Sequence, residues 1–219
     1  MIPWQSVNTV FLDMDGTLLD LHFDNHFWRE HVPLRFAEKN GLDIDAARSQ
    51  LFPRFASAEG TLDWYCVDYW SRELDLDIAE LKKEVNHLIA VHPHVIEFLD
   101  QLRKAGKRIV LVTNAHGKSV DIKFERTQIG GHFDSVVCSH DIGLPKEHLD
   151  FWDQLQQTES FDRQATLLID DSLPVLHSAK HYGIAHLLAV YHPDSKGPRR
   201  DVESFMAIQH FADLMPVES

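Results

Sequence analysis

The tightest constraint in this chain is one short apolar run that ends in an aspartate: Thr9-Val10-Phe11-Leu12-Asp13-Met14-Asp15-Gly16-Thr17-Leu18. Thr9 to Leu12 is β-rich and bounded, and it reads as apolar on both faces. Such strands belong to parallel sheets covered by helices on both sides. Asp13 then sits at the carboxyl end of a central strand, the edge at which open α/β sheets bind ligands. A second carboxylate, Asp15, follows, and Gly16 lets backbone approach a ligand closely. Two carboxylates and a glycine in that place suggest a phosphoryl-transfer site that uses Mg²⁺. Asp-Gly is also an ordinary turn signal, so the stretch needs support from the rest of the chain.

That support begins with alternation. Arg108 to Thr113, Ser135 to Cys138, Thr166 to Asp170 and Ala185 to Val190 are further strand candidates. Helical patterns separate them: His94 to Gly106, with Val95, Leu99 and Leu102 on one face, then Lys118 to Ile129, His148 to Gln157 and Leu173 to Tyr182. The expected fold is α/β, a doubly wound parallel sheet. Residues 18–91 differ, being rich in Phe, Trp, Leu and Glu without a convincing strand. They read as an all-helical insertion after the first strand, with Asp43 as an N-cap. The division is a core of 1–17 and 92–219 and a cap of 18–91. Pro193 to Arg200 reads as a turn-rich loop, and a short helix is expected near Met206 to Met215.

Composition narrows the partners. With 21 basic and 34 acidic side chains the 219-residue chain carries a formal charge of −13. Such a surface repels polymeric nucleic acid and anionic membranes. A small phosphorylated substrate remains compatible, because a divalent cation reverses the local sign. Cys66 and Cys138 have no metal-like spacing and suggest no disulfide framework. No leader pattern is visible at the start, and no apolar run approaches the ~18 residues that span a bilayer. A cytoplasmic protein, monomeric or weakly self-associating, is expected. His22, His26 and His31 fall close to one helical face, but no Cys or carboxylate pattern typical of zinc accompanies them.

Three further features stand at strand ends: Thr113-Asn114, Gly143-Leu144-Pro145-Lys146 and Asp170-Asp171-Ser172. In a parallel sheet these ends share the edge of Asp13. Each has a plain reading: a strand end, a solvated lysine, a helix N-cap. Four such features at successive strand ends are hard to explain as coincidence.

Asp13-x-Asp15-Gly16-Thr17, then Thr113-Asn114, Lys146 and Asp170-Asp171, resembles the haloacid dehalogenase (HAD) superfamily, and the insertion resembles its C1-type cap. Gly60-Thr61-Leu62-Asp63-Trp64-Tyr65, Gly143-x-Pro145-Lys146-Glu147 and Pro193-Asp194-Ser195 are similar to the bacterial GMP/IMP 5'-nucleotidases within it. Two departures stand out. Glu147 follows Lys146 where many relatives have proline, and Asp170-Asp171 stands where Gly-Asp is frequent. The second leaves open which aspartate meets the metal, with Asp171 favoured.

The resemblance implies a Mg²⁺-dependent phosphomonoesterase, most simply a purine 5'-nucleotidase. Asp13 would attack phosphorus and become an aspartyl phosphate. Asp15 would be general acid and base. Thr113, the Asn114 amide and Lys146 would hold the phosphoryl group, and Asp13, the Asp15 carbonyl and Asp170 or Asp171 would ligate Mg²⁺. A sugar-phosphate phosphatase or phosphomutase would share every core residue. Dehalogenation is disfavoured by Asp15, a receiver domain by motif order and length. Of the cap residues, Trp28, Phe55, Trp64, Tyr65, Tyr69 and Trp70 offer rings for a purine, and Arg29, Arg48 and Arg54 offer charges, although most of the aromatics suit a cap core equally.

Overall fold

The run at Thr9–Leu12 is a strand with every residue buried, at the centre of the sheet. The computed structural model describes residues 2–218. Among them, six parallel strands pair in the order β3-β2-β1-β4-β5-β6. They are β1 (Thr9–Leu12), β2 (Arg108–Thr113), β3 (Ser135–Cys138), β4 (Thr166–Ile169), β5 (His186–Val190) and β6 (Met206–Ile208). Period-two alternation sorts the strand side chains into two layers. Val10, Leu12, Leu111 and Ile169 pack in one cluster, which includes residues of α7 (Val95–Lys104) and α8 (Gly117–Thr127). Phe11, Val110, Val112 and Leu168 pack in the other, with α10 (Phe151–Thr158) and α11 (Leu173–Tyr182). A strand clothed on both faces has no use for polar alternation, which is why β1 reads as a continuous apolar run.

Between β1 and α7 the chain is helical: α1 (His22–His26), α2 (Val32–Asn40), α3 (Ile44–Ala58), α4 (Leu62–Tyr65), α5 (Val67–Leu74) and α6 (Ile78–Glu84). Asp43 caps α3 as expected, accepting from the Ala46 amide at 2.8 Å. A π turn, Phe27–His31, links α1 to α2. Pro33 accounts for it, since its ring has no N–H for the Arg29 carbonyl and crowds it. The insertion leaves and returns at one place. Asp20 N donates to Ala90 O at 2.9 Å, His92 N donates to Leu18 O at 2.9 Å, and Leu19 bridges Val91. The loop after β5 clamps that junction: Leu21 N donates to Pro193 O at 2.8 Å, Ser195 N to Asp20 Oδ1 at 3.0 Å, and Asn25 Nδ2 to Asp194 Oδ2 at 2.7 Å.

Two expectations need correction. The helix expected near Met206 to Met215 is strand β6 followed by a 3₁₀ turn, Phe211–Leu214. Met206, Ala207 and Ile208 pair with Leu188, Ala189 and Val190, satisfying an otherwise open strand edge. The helix expected from His148 begins at Phe151, after a turn in which His148 N donates to Pro145 O. Two of the three histidines have other partners: buried His31 bonds Glu84 at 2.9 Å, and His22 faces Asp194 and Lys196. Among the described residues no helix is long and apolar enough to cross a membrane.

Candidate active site

Strand register assembles the site. Leu12 pairs with Ile169 and Leu111, so Asp13 emerges beside Asp170 and level with Val112. Lys146, in the loop after α9 (Ser139–Ile142), reaches into this row. Its Nζ lies 2.5 Å from Asp13 Oδ1, 2.7 Å from Asp170 Oδ2 and 3.0 Å from Val112 O. It is 1% exposed, so it is no solvated loop lysine. Burial alone would depress its pKa, but Asp13 and Asp170 outweigh burial and hold it above the ordinary lysine value.

One carboxylate oxygen from each of Asp13, Asp170 and Asp171 lies within 4.8 Å of the others. Lys146 does not balance this much charge. Burial, joined by repulsion from Asp170, pushes Asp13 up to about 6 despite Lys146. Burial, then Asp13 and Asp170, push Asp171 well above the carboxylate range, with Arg200 opposing. Hard oxygen donors that resist ionisation together fit a small divalent cation. The two adjacent aspartates differ in freedom. Both Asp170 oxygens are engaged, Oδ2 by Lys146 and Oδ1 by the Ser172 amide at 2.9 Å, whereas Asp171 meets Arg200 through Oδ2 at 3.0 Å. Gly16, at φ +87°, lies beneath Asp171, where a Cβ would stand 2.6 Å from Oδ2. What approaches this glycine is the carboxylate itself.

Asp15 has different company. Lys123 of α8, 1% exposed, pairs with its Oδ1 at 2.6 Å and with Asp24 Oδ2 at 2.7 Å. Lys82 of α6 pairs with the other Asp24 oxygen at 3.1 Å, its ammonium 4.5 Å from the Phe27 ring centre. Burial and the neighbouring Asp24 push Asp15 up to about 6, against the pull of Lys123. A carboxyl held there exchanges protons near neutral pH.

Thr113 and Asn114 are buried at the same edge. Thr113 Oγ1 accepts from Ala115 N at 3.0 Å, which fixes the loop. The Asn114 side chain joins two loops, accepting from Lys146 N at 2.9 Å and donating to Glu147 Oε2 at 2.8 Å. Glu147 also accepts from Tyr65 Oη at 3.0 Å, tying α4 to the core. Burial and that carboxylate raise the phenol's pKa, so it remains a donor. All seven residues expected at the site, Asp13, Asp15, Thr113, Asn114, Lys146, Asp170 and Asp171, line one cavity of about 900 Å³. Its other walls include Trp28, Arg48, Phe55 and Trp64 of the insertion. Phe55 and Trp70 are indeed buried core, whereas Trp28 and Trp64 are only partly buried.

The sequence reading missed Lys123, Asp24, Lys82 and Arg200. Lys123 left one signal: it shares the buried face of α8 with Val120, a place where lysine is rare unless paired.

A family model for haloacid dehalogenase-like hydrolases matches residues 7–183. The GMP/IMP nucleotidase YrfG of Escherichia coli (strain K12) is 37% identical over 215 residues, 98% of this chain and 97% of that protein. Among solved structures, a HAD phosphatase from Thermococcus onnurineus superposes with a TM-score of 0.79 at 22% identity, covering 95% of this chain and 96% of that one. The HAD hydrolase YfnB from Bacillus subtilis, solved bound to magnesium, gives 0.63 at 17% identity, over 95% and 96%.

Proposed function

The chain belongs to the haloacid dehalogenase-like hydrolase family, and from that premise we propose that it is a Mg²⁺-dependent phosphatase of purine 5'-mononucleotides. The observation that carries this reading is one cavity that holds a carboxylate cluster, a buried lysine and an aromatic cap wall together. The name of the 37% identical relative, a GMP/IMP nucleotidase, supports the choice of substrate.

In this reading one Asp13 oxygen attacks phosphorus and the bond to the ester oxygen breaks. Asp15 gives its proton to the departing alkoxide. Water then attacks the aspartyl phosphate, Asp15 takes the water proton, and phosphate leaves with Asp13 restored. Lys146, with the Thr113 hydroxyl and the Asn114 amide, offsets charge on the phosphoryl oxygens. Mg²⁺ would be held by Asp13, the Asp15 carbonyl and Asp171, with Asp170 supporting through Lys146, and would neutralise charge between nucleophile and phosphate. The core is residues 1–17 and 92–219, and the cap is 18–91.

The test is phosphate release with Mg²⁺ from GMP, IMP, AMP, pyrimidine monophosphates and sugar phosphates, with Asp13→Asn as control. Preference for purine nucleotides is expected. Isomerisation of a sugar phosphate without net phosphate release would overturn the reading.

A further inference from the structure

The cap side of the cavity has an ordered polarity. Arg48, Phe52 and Phe55 of α3 line it, spaced by four and three residues, so one face of the helix looks inward, and Glu59 lines it just past the helix end. Opposite stand Asn25, Trp28 and Glu30, the last two on the π turn, a distortion that gathers at functional sites. Trp28 and Trp64 present rings inclined by 27° with centres 6.3 Å apart, near-parallel faces on which a flat ring can stack. In the wall of the same cavity, Glu30 Oε2 pairs with Arg48 Nη2. These side chains are 56% and 31% exposed. An ion pair that open to water adds little to folding, so stability does not explain why an acceptor and a donor stand side by side there.

Resting on the nucleotidase reading above, we propose that Glu30 and Arg48 recognise the 6-oxopurine edge while Trp28 and Trp64 stack on the base. Hypoxanthine and guanine present N1–H beside O6. The carboxylate accepts the first and the guanidinium donates to the second. Adenine places a lone pair and an amino group at those positions, so acceptor meets acceptor and donor meets donor. Adenine thus offers neither group a matching partner, whereas a 6-oxopurine pairs both. Charged contacts link this end of the cavity to the reacting end. Asp24 touches Lys123, which touches Asp15. Glu30 stands on the π turn that continues this segment beyond α1, and it lines the same cavity as Asp13 and Asp15.

The experiment compares kcat/KM for IMP, GMP and AMP in wild type, Glu30→Gln and Arg48→Met. Lys83→Met, exposed on α6 and outside this cavity, is the control. We expect IMP and GMP to lose about ten- to hundred-fold, the size of one charged hydrogen bond, mainly through KM. AMP is held or improved in Glu30→Gln, because the carboxamide can donate to N1. The IMP:AMP ratio is the readout, and a merely structural pair would not move it. A wild-type preference for IMP that survives both substitutions within twofold overturns the base site and leaves the nucleotidase reading standing. Wild-type enzyme that cleaves p-nitrophenyl phosphate but no purine nucleotide overturns both.

Discussion

Asp13 and Asp15 are two residues apart and differ in what surrounds them. Asp13 faces Lys146 and the carboxylate cluster, whereas Asp15 faces the Lys123–Asp24 pair. Their substitutions should therefore fail differently. Asp13→Asn is expected to abolish turnover with a melting temperature near wild type, and retained activity would sink the nucleophile assignment. Asp15→Asn is expected to accept phosphate from p-nitrophenyl phosphate, whose leaving group needs no proton, and then to stall. Rapid-quench trapping should recover close to one phosphate per chain, and none recovered would count against Asp15 as the base for hydrolysis. The site was legible at this scale because each of its residues ends or follows a strand, and a parallel sheet delivers all those ends to one edge. The Lys82–Asp24–Lys123 relay was not legible. Its members come from three helices separated by tens of residues, and only packing brings them together. In the sequence Glu147 shows only as a departure from the usual proline, because its bonds to Asn114 and Tyr65 join segments far apart along the chain.

At the scale of elements, the turn after β1 is as constrained as the strand. Gly16 combines a positive φ with a carboxylate directly above it. Gly16→Ala is expected to destabilise the fold by about 1–3 kcal/mol in urea unfolding and to displace Asp171, with loss of activity well beyond the stability change. Normal turnover would show that Asp171 can move without consequence. Tyr65→Phe removes the bond between α4 and Glu147. A cost of about 1.5–3 kcal/mol is expected, the range for a hydrogen bond to a charged group, readable by denaturant unfolding. An unchanged midpoint would mean that water replaces the phenol at no cost. Strands and core helices were legible because two-sided burial and helical periodicity leave strong patterns. The C-terminal strand was not. Ile208, Phe211 and Leu214 repeat at helical spacing, and three residues are too few to display period two. The open edge of β5 decided the outcome, a tertiary demand that local spacing does not carry.

For the whole molecule, the carboxylate cluster links stability to pH and metal. Asp13, Asp170 and Asp171 all have raised pKa values in the fold. A raised carboxyl favours the fold below its unfolded value of about 4 and loses that contribution as pH climbs through the folded value, about 6 for Asp13. The metal-free protein should therefore lose stability from this cluster between pH 4 and neutrality, where Mg²⁺ should restore it. At a hundredfold excess over Kd, Mg²⁺ is expected to raise Tm by about 5–10 °C at pH 7.5 and by less at pH 5. Equal increments at both pH values would remove the cluster as the binding site.

The insertion enters and leaves the core through one pair of adjacent segments, Leu18–Asp20 and Ala90–His92, clamped by the loop after β5. For evolution this is a socket. A replacement segment has only to match two neighbouring chain ends, and the reacting carboxylates on the sheet need not change when it does. New substrate preferences can then arise by exchanging or remodelling the plugged-in part while the inherited chemistry is kept. In the laboratory, the same geometry marks the two points at which a chimera should be spliced.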